Sequence, residues 1–256
     1  MLLCLDIGNT HIYGGIFSDD QLSFQFRYPS KEGCTSDEIG IFLRTYLREI
    51  GIEHAKIKEI AFCSVVPSVE YSIRAALIKY FSLNPFILQA THPALAFQIQ
   101  YKNLNEIGMD RVANAIAARH YFPHQNLIVV DLGTATTFEA ISLEGQFWGG
   151  GILPGLQMQM RALTACTSNL PPVSIVKVQT AVSQTTTANI QSGLYYGHLG
   201  AIREILKNIT LELFSSQPVT IIGTGGFASL YENENLFNAI IPDLVLQGLR
   251  LAAQQR

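Results

Sequence analysis

Short apolar runs interrupted by small polar turns dominate the first thirty residues. These runs predict strands over residues 2–6, 11–17 and 22–28, separated by a Gly8-Asn9 turn and by a turn at residues 18–21. Glycine and asparagine between apolar runs are typical of hairpin turns. The chain is therefore expected to begin with antiparallel strands joined by hairpins.

The spacing of apolar residues changes after these strands. From Ile39 to Ile50 they recur every three or four positions, which predicts a helix over residues 36–50 with Ser36 as its N-cap. Further along, the pattern predicts a strand at 58–65, a helix at 68–81 and a short strand in PFIL. Strands that alternate with helices indicate an α/β organisation.

The second half of the chain repeats this order. The predicted elements are a helix at 107–122, strands ending at Asp131 and near 136–143 and 146–149, helices after Pro154 and over 185–212, a strand at 217–223 and a terminal helix at 243–254. Matching residues stand 125 positions apart: Asp6-Ile7-Gly8 with Asp131-Leu132-Gly133, Tyr13 with Phe138, Ile16 with Ile141, and Gln21 with Gln146. Such an offset indicates an internal duplication. We expect two α/β lobes with mixed sheets, residues 1–105 and 106–256.

Composition narrows the classes of function. The net charge of -3 gives no support for a nucleic-acid or membrane-surface partner, and no apolar stretch approaches the roughly 20 residues of a membrane helix. Four cysteines without CxxC spacing argue against zinc or dithiol chemistry, and Cys4 and Cys63 lie in apolar runs as small hydrophobes. We expect a cytoplasmic protein with reduced thiols. Only 14% of residues are charged, which favours an oligomer.

The two Asp-x-Gly hairpins carry the clearest chemical signal. Backbone amides at such a tip can bind phosphate oxygens, and a carboxylate at the strand end can hold hydrated magnesium. Hydroxyl groups at both tips add donors: Thr10, Thr134, Thr136 and Thr137. Each hairpin alone could be an ordinary turn, but the pair predicts an enzyme that splits ATP between two lobes. The Gly-rich turn at 223–226 could lie against a nucleotide base or sugar, and neither a GxxxxGK[ST] loop nor a GxGxxG motif occurs.

Five motifs in order carry a family resemblance: DIGNT at 6–10, GMDR at 108–111, DLGTATTF at 131–138, GGGILPGL at 149–156 and GTGG at 223–226. From residue 2 to about 250 the chain resembles the type III pantothenate kinases, which belong with acetate and sugar kinases, heat-shock 70 chaperones and actin. The resemblance implies two ribonuclease H-like lobes with flanking helices in an actin-like ATPase architecture. It also implies a homodimer that transfers phosphate from ATP to the 4′-hydroxyl of pantothenate, the first step of coenzyme A synthesis.

The resemblance assigns roles to individual residues. It implies ATP-binding positions at Asp6, Ile7, Gly8, Asn9, Thr10, His11, Ile12, Tyr13 and Thr134. It implies pantothenate-binding positions at Tyr101, Gly108, Met109, Asp110, Arg111 and Thr186, with Thr186 uncertain in register within Thr185–Thr187. Asp110 would accept the proton of the substrate hydroxyl, and Asp6 would hold Mg²⁺ through phosphates or water. Asp131 would bind a monovalent cation, K⁺ or NH₄⁺.

The chemistry of Asp110 and Arg111 agrees with these roles. A carboxylate can orient a hydroxyl and accept its proton, and a guanidinium pairs well with a carboxylate such as that of pantothenate. Taken without the resemblance, the pair could equally be an acid at a helix N-terminus beside a solvated neighbour.

The departures from the family pattern are His11 in place of Asn and Glu139 in place of Asp. The other histidines considered, His92, His120, His124 and His198, are expected to be structural or on the surface.

Two other functions stay open at this stage. One is a kinase of the same superfamily with a different acceptor. The other is a non-enzymatic regulator resembling the Bvg accessory factors, which share the family. The presence of Asp6, Asp110, Arg111 and Asp131 together favours catalysis, because a binding module has no need of all four.

Overall fold

The protein packs as two compact units. The structure, a computed structural model, describes residues 1–92, 95, 97–215 and 217–255. The first unit comprises the described residues of Met1–Ala96, Tyr101–Ala117 and Leu244–Arg256, and the second comprises those of Phe97–Gln100 and Ala118–Asp243. The expected division into lobes of residues 1–105 and 106–256 stays a prediction. In the packing, residues 101–117 and the chain's C-terminal segment group with the first unit.

The first unit is built on a mixed sheet. Its strands are β1 (Leu2–Ile7), β2 (His11–Ser18), β3 (Gln21–Pro29), β4 (Glu59–Ser64) and β5 (Phe86–Ile87). They lie in the order β3-β2-β1-β4-β5. The hairpin strands β1, β2 and β3 pair antiparallel, whereas β4 and β5 join in parallel.

The second unit repeats this arrangement. Its strands are β6 (Gln98–Ile99), β7 (Asn126–Leu132), β8 (Ala135–Ile141), β9 (Gln146–Gly149), β10 (Ile152–Pro154), β11 (Val219–Thr224) and β12 (Ala239–Ile240). The order β9-β8-β7-β11-β12 has the same topology as the first sheet, with β6 added beside β9 and β10 beside β8. The predicted fold class, duplicated α/β units with mixed sheets and flanking helices, is confirmed.

The number of residues that separates matching positions of the two units is not constant. Asp6 lies opposite Tyr13, but Asp131 lies opposite Thr137, so the counterpart of Tyr13 is Thr137 and the expected match with Phe138 is wrong. The cause is the turn. Gly8 N–H donates to His11 O, across two residues, whereas Gly133 N–H donates to Ala135 O, across one. The offset is therefore 124 through β8.

Core burial agrees with this corrected register. The expected match of Ile16 with Ile141 is also wrong, because at an offset of 124 Ile16 corresponds to Ala140. The pairing with the next strand is irregular directly after each of these two residues. The core-facing positions Ile12 and Ile16 of β2 correspond to Thr136 and Ala140 of β8. The second turn is one residue longer in the second unit, since Ser142 N–H donates to Gln146 O. Gln146 thus returns to the offset of 125 from Gln21.

Helices cover both sheets. They are α1 (Ser36–Glu49), α2 (Pro67–Phe81), α3 (Met109–Tyr121), α4 (Leu156–Cys166), α5 (Thr186–Phe214) and α6 (Leu244–Gln254). All of them were predicted, with ends that shift by a few residues. Among the described residues, no helix is both long and apolar enough to cross a membrane.

The N-cap of α1 differs from the prediction. Thr35, not Ser36, is the cap: its hydroxyl accepts from Glu38 N–H at 3.2 Å, and the Glu38 carboxylate accepts from Thr35 N–H at 2.8 Å. This reciprocal pair is a capping box. A capping box requires Glu or Gln three residues after the cap. Ser36 cannot form one, because the residue three positions after it is the apolar Ile39, which is buried in the core.

Candidate functional site

The first hairpin places Asp6 at the end of β1, with its side chain half-buried. Of the neighbouring positions expected to bind ATP, Ile7 and Ile12 are buried in the core, while Asn9 and His11 are exposed at the turn. Tyr13 is also buried, with the Arg27 guanidinium 4.2 Å from the centre of its ring. The solvent-facing part of the stretch is thus its turn, together with the half-buried Gly8 and Thr10.

Cys63 on β4 lies beside Asp6, one of the predicted functional carboxylates. It is opposite Asp6 in the parallel pairing of β1 and β4, and its thiol donates to Asp6 Oδ1 at 3.5 Å. Burial, and after it the negative charges of Asp6 and Asp110, raise the pKa of Cys63 well above its usual value. The thiol therefore stays protonated as a donor. This role was missed, because the apolar run around Cys63 indicated only a small hydrophobe.

The GMDR motif folds so that its glycine makes room for its aspartate. A Cβ at Gly108 would overlap Oδ1 of Asp110, so a side chain there would displace the carboxylate. The same Oδ1 accepts from Arg111 N–H at 2.8 Å. Burial raises the pKa of Asp110, and the backbone N–H and charge of Arg111 offset that rise only in part.

Arg111 and Tyr101 form the neighbouring part of this site. Arg111 Nη1 donates to the Tyr101 hydroxyl at 2.9 Å, and the guanidinium carbon lies 5.9 Å from the centre of the Tyr101 ring. Arg111 is only 6% exposed. The structure thus brings together Tyr101, Gly108, Asp110 and Arg111, which the sequence separates into two segments. Met109, the remaining motif residue, is half-buried at the start of α3.

In the second unit, Asp131 is the penultimate residue of β7 and lies beside the Gly-rich turn. A Cβ at Gly225 would overlap Asp131 Oδ1 and the backbone of Leu132, and Gly225 has a φ of 86°. A residue other than glycine would therefore be strained and would collide with the carboxylate. Phe227 N–H also donates to Leu132 O at 3.1 Å. Strand β11, the Gly-rich turn and the second hairpin consequently form one surface, with Thr134 exposed at the hairpin tip.

Thr186 lies at the start of α5, and its surroundings differ from those of Thr185. The hydroxyl of Thr185 caps α5 by accepting from Ala188 N–H at 3.2 Å. Thr186, the first residue of the helix, lines a cavity of about 770 Å³ between α4 and α5. Apolar residues that also line this cavity include Leu163, Ile190 and Leu194.

Comparison with known proteins identifies the family. A family model described as type III pantothenate kinase matches residues 2–208. This chain belongs to the type III pantothenate kinase family. A type III pantothenate kinase of Legionella pneumophila (strain Corby) is 52% identical over 253 residues, covering 99% of this chain and 98% of that protein. A type III pantothenate kinase 1 of Francisella tularensis is 44% identical over 254 residues, covering 99% of each.

Solved structures agree at the level of the fold. A Campylobacter jejuni protein assigned to the Baf family of transcriptional activators aligns with a TM-score of 0.60 and 20% identity, over 98% of this chain and 97% of that one. A ROK family glucokinase of Streptomyces griseus aligns with a TM-score of 0.52 and 12% identity, over 99% of each chain. At these identities the likeness shows the shared kinase-like fold alone. Membership of a kinase family implies the use of ATP with a divalent metal.

Proposed function

We propose that this protein transfers the γ-phosphoryl group of ATP to the 4′-hydroxyl of pantothenate, giving 4′-phosphopantothenate in the first step of coenzyme A synthesis. The observation that carries the proposal is the cluster of Asp110, Arg111 and Tyr101 around Gly108. It combines a half-buried carboxylate, which can act as a base, with a cation suited to a carboxylate, in a chain of the matching family.

Asp110 is the proposed proton acceptor. A general base works best when its pKa is near the working pH, and burial shifts the pKa of Asp110 upward in that direction. Arg111 is the proposed partner of the pantothenate carboxylate, because a planar guanidinium can donate two parallel hydrogen bonds. Tyr101 holds Arg111 in place by accepting a hydrogen bond from its guanidinium at 2.9 Å.

Asp6 is the proposed residue for Mg²⁺, through phosphates or water. Its oxygens are the hard ligands that magnesium prefers, and the Cys63 thiol occupies one lone pair of Oδ1. Bound Mg²⁺ would neutralise charge on the transferring phosphates. The proposed ATP contacts come from the turn between Gly8 and His11 and from Thr134, and the proposed ligand of K⁺ or NH₄⁺ is Asp131.

Thr186 is proposed to contact pantothenate, since it lines the cavity while the Thr185 hydroxyl caps the helix. A homodimer is proposed as the working form. Exposed apolar side chains on or near α4, including Ile152, Met158 and Leu163, support this. We also propose a cytoplasmic location, where ATP is available.

A coupled assay of ADP release tests this function. We expect release that depends on pantothenate, ATP and Mg²⁺, and that rises when K⁺ or NH₄⁺ replaces Na⁺. Turnover with another small alcohol and none with pantothenate would indicate a kinase with a different acceptor. No turnover with any acceptor would favour a regulator, which the fold shared with the Campylobacter jejuni protein keeps as the second candidate.

A further inference from the structure

Thr136 on β8 is a polar residue at a position where the first unit has an apolar one. In the corrected register Thr136 corresponds to Ile12, which faces the core of the first unit. Thr136 is just as deeply buried, at 1% exposure. A buried hydroxyl costs free energy unless it is hydrogen-bonded, so a polar side chain here requires a partner.

That partner is His198, in the middle of α5. Its Nε2 lies 3.0 Å from Thr136 Oγ1, and its Nδ1 lies 2.9 Å from Gln159 Nε2. Gln159 Nε2 also donates to Pro154 O at 2.7 Å. A backbone carbonyl can only accept, so the amide nitrogen of Gln159 points towards both groups and donates to Nδ1 as well.

These contacts determine the tautomer of His198. Because Nδ1 accepts from Gln159, the proton of the neutral ring is on Nε2 and is donated to Thr136. A charged ring would direct an N–H at the Gln159 amide, and burial lowers the pKa of His198 to about 4. At neutral pH the side chain is therefore a fixed, neutral bridge between β8 and α4.

The bridge ends at the tip of the second hairpin. Thr136 is two residues from Thr134, and it pairs with Leu132 on β7 and with Leu153 on β10. The carbonyl of Thr134 accepts from Gly155 N–H at 3.1 Å, directly after Pro154, which accepts from Gln159. The hairpin tip is thus attached to the start of α4 by its backbone and to α5 by His198.

We propose that His198 is a positioning residue for the ATP-binding hairpin of the second unit, acting through Thr136 and steadied by Gln159. The proposal rests on the proposed function, in which Thr134 contacts ATP. His198 fixes the position of the hairpin tip, and loss of its bond to Thr136 weakens ATP binding more than pantothenate binding.

Two amide variants test the two hydrogen bonds of the imidazole separately. In His198→Gln the amide nitrogen can occupy the place of Nε2, which keeps the donor to Thr136 and loses the contact with Gln159. In His198→Asn the amide oxygen can occupy the place of Nδ1, which keeps the acceptor for Gln159 and loses Thr136. We expect His198→Asn to raise KM for ATP about 3- to 10-fold, the worth of one hydrogen bond. We expect His198→Gln to raise it less than twofold, with KM for pantothenate unchanged in both.

A control on the same helix separates positioning from stability. Tyr195→Phe removes the hydrogen bond from Tyr195 to Glu234 and should lower Tm without changing KM for ATP. The double variant Thr136→Val/His198→Leu restores an apolar contact like that of the first unit, so it should fold and yet bind ATP weakly. Normal KM for ATP in the double variant, or equal KM values in His198→Asn and His198→Gln, would overturn the proposal.

Failure of the proposed function would look different. If the wild-type protein turned over no pantothenate, calorimetric titration with ADP would still rank the variants. Weaker ADP binding to His198→Asn than to His198→Gln would support the positioning role, and equal binding would overturn it.

Discussion

Gly108 and Asp110 show how the absence of one side chain can determine where a carboxylate lies. The aspartate Oδ1 occupies the space that a Cβ at position 108 would need. The backbone fixes the position of that Cβ, and its distance of 3.4 Å from Val65 Cγ1 would be an ordinary contact, so the overlap is with the carboxylate. The carboxylate must therefore move if residue 108 gains a methyl group.

Gly108→Ala should lower kcat about tenfold or more, because a small misplacement of a base costs much of its contribution to the rate. Gly200→Ala is a suitable control, since a Cβ there meets nothing within 4 Å and Gly200 does not line the cavity at Thr186. Steady-state kinetics of both variants would check this. A kcat for Gly108→Ala equal to that of the control would show that Asp110 does not depend on this space.

Site residues that are neighbours in the sequence could be predicted, whereas contacts between residues far apart in the sequence could not. GMDR could be recognised through the family resemblance because its four residues are contiguous, and the same resemblance implied Tyr101. The contact of Cys63 with Asp6 could not be read, since it arises from the parallel pairing of strands that are 57 residues apart. The same holds for His198, whose burial and contact with Thr136 depend on how α5 packs across β8.

Individual elements were predictable where their pattern was long. The apolar strands β1, β2, β7 and β8 of the two hairpins and the 29-residue helix α5 are close to their predicted bounds. The strands β6, β10 and β12 were missed, because two or three residues are too few to show a period. The offset through β8 was also misjudged, since a one-residue difference in turn length leaves no mark on the motif DLGTATTF.

The capping box of α1 gives a prediction at this scale. Thr35→Ala should destabilise the protein by about 1 kcal/mol, because it removes the acceptor for Glu38 N–H at the helix start. Ser36→Ala is the matched control and should change stability by only a few tenths of that value. Urea unfolding of both variants would check this, and equal losses would mean that the cap is not at Thr35.

At the scale of the whole molecule, the buried imidazole of His198 links stability to pH. Its pKa is about 4 in the folded protein, against about 6.5 in an unfolded chain. Below pH 6.5 the unfolded chain binds a proton that the folded protein does not. Stability from this group is therefore complete above pH 6.5 and is lost as the pH falls towards 4.

The free energy of unfolding should accordingly fall more steeply from pH 6.5 to 4.5 in the wild-type protein than in His198→Gln, which cannot titrate. Urea unfolding at several pH values in this range would measure the difference. Parallel curves for the two proteins would mean that His198 is protonated in the folded state.

The duplicated topology also concerns the whole molecule, because it gives the chain two related hairpins with unequal neighbours. The first has the Cys63 thiol and the Asp110 cluster in its unit, and the second has the Gly-rich turn and His198. Neither hairpin specifies the phosphate acceptor. In the proposed function, the cluster at Asp110 selects the phosphate acceptor.

The most direct measurement is the rate of product formation by the wild-type protein and by Asp110→Asn, with 4′-phosphopantothenate identified by mass spectrometry. We predict one phosphopantothenate for each ADP in the wild-type protein. In Asp110→Asn we predict a loss of kcat of about 100-fold or more, with pantothenate still bound. ADP formed without phosphopantothenate, or a near-normal kcat in Asp110→Asn, would contradict the account.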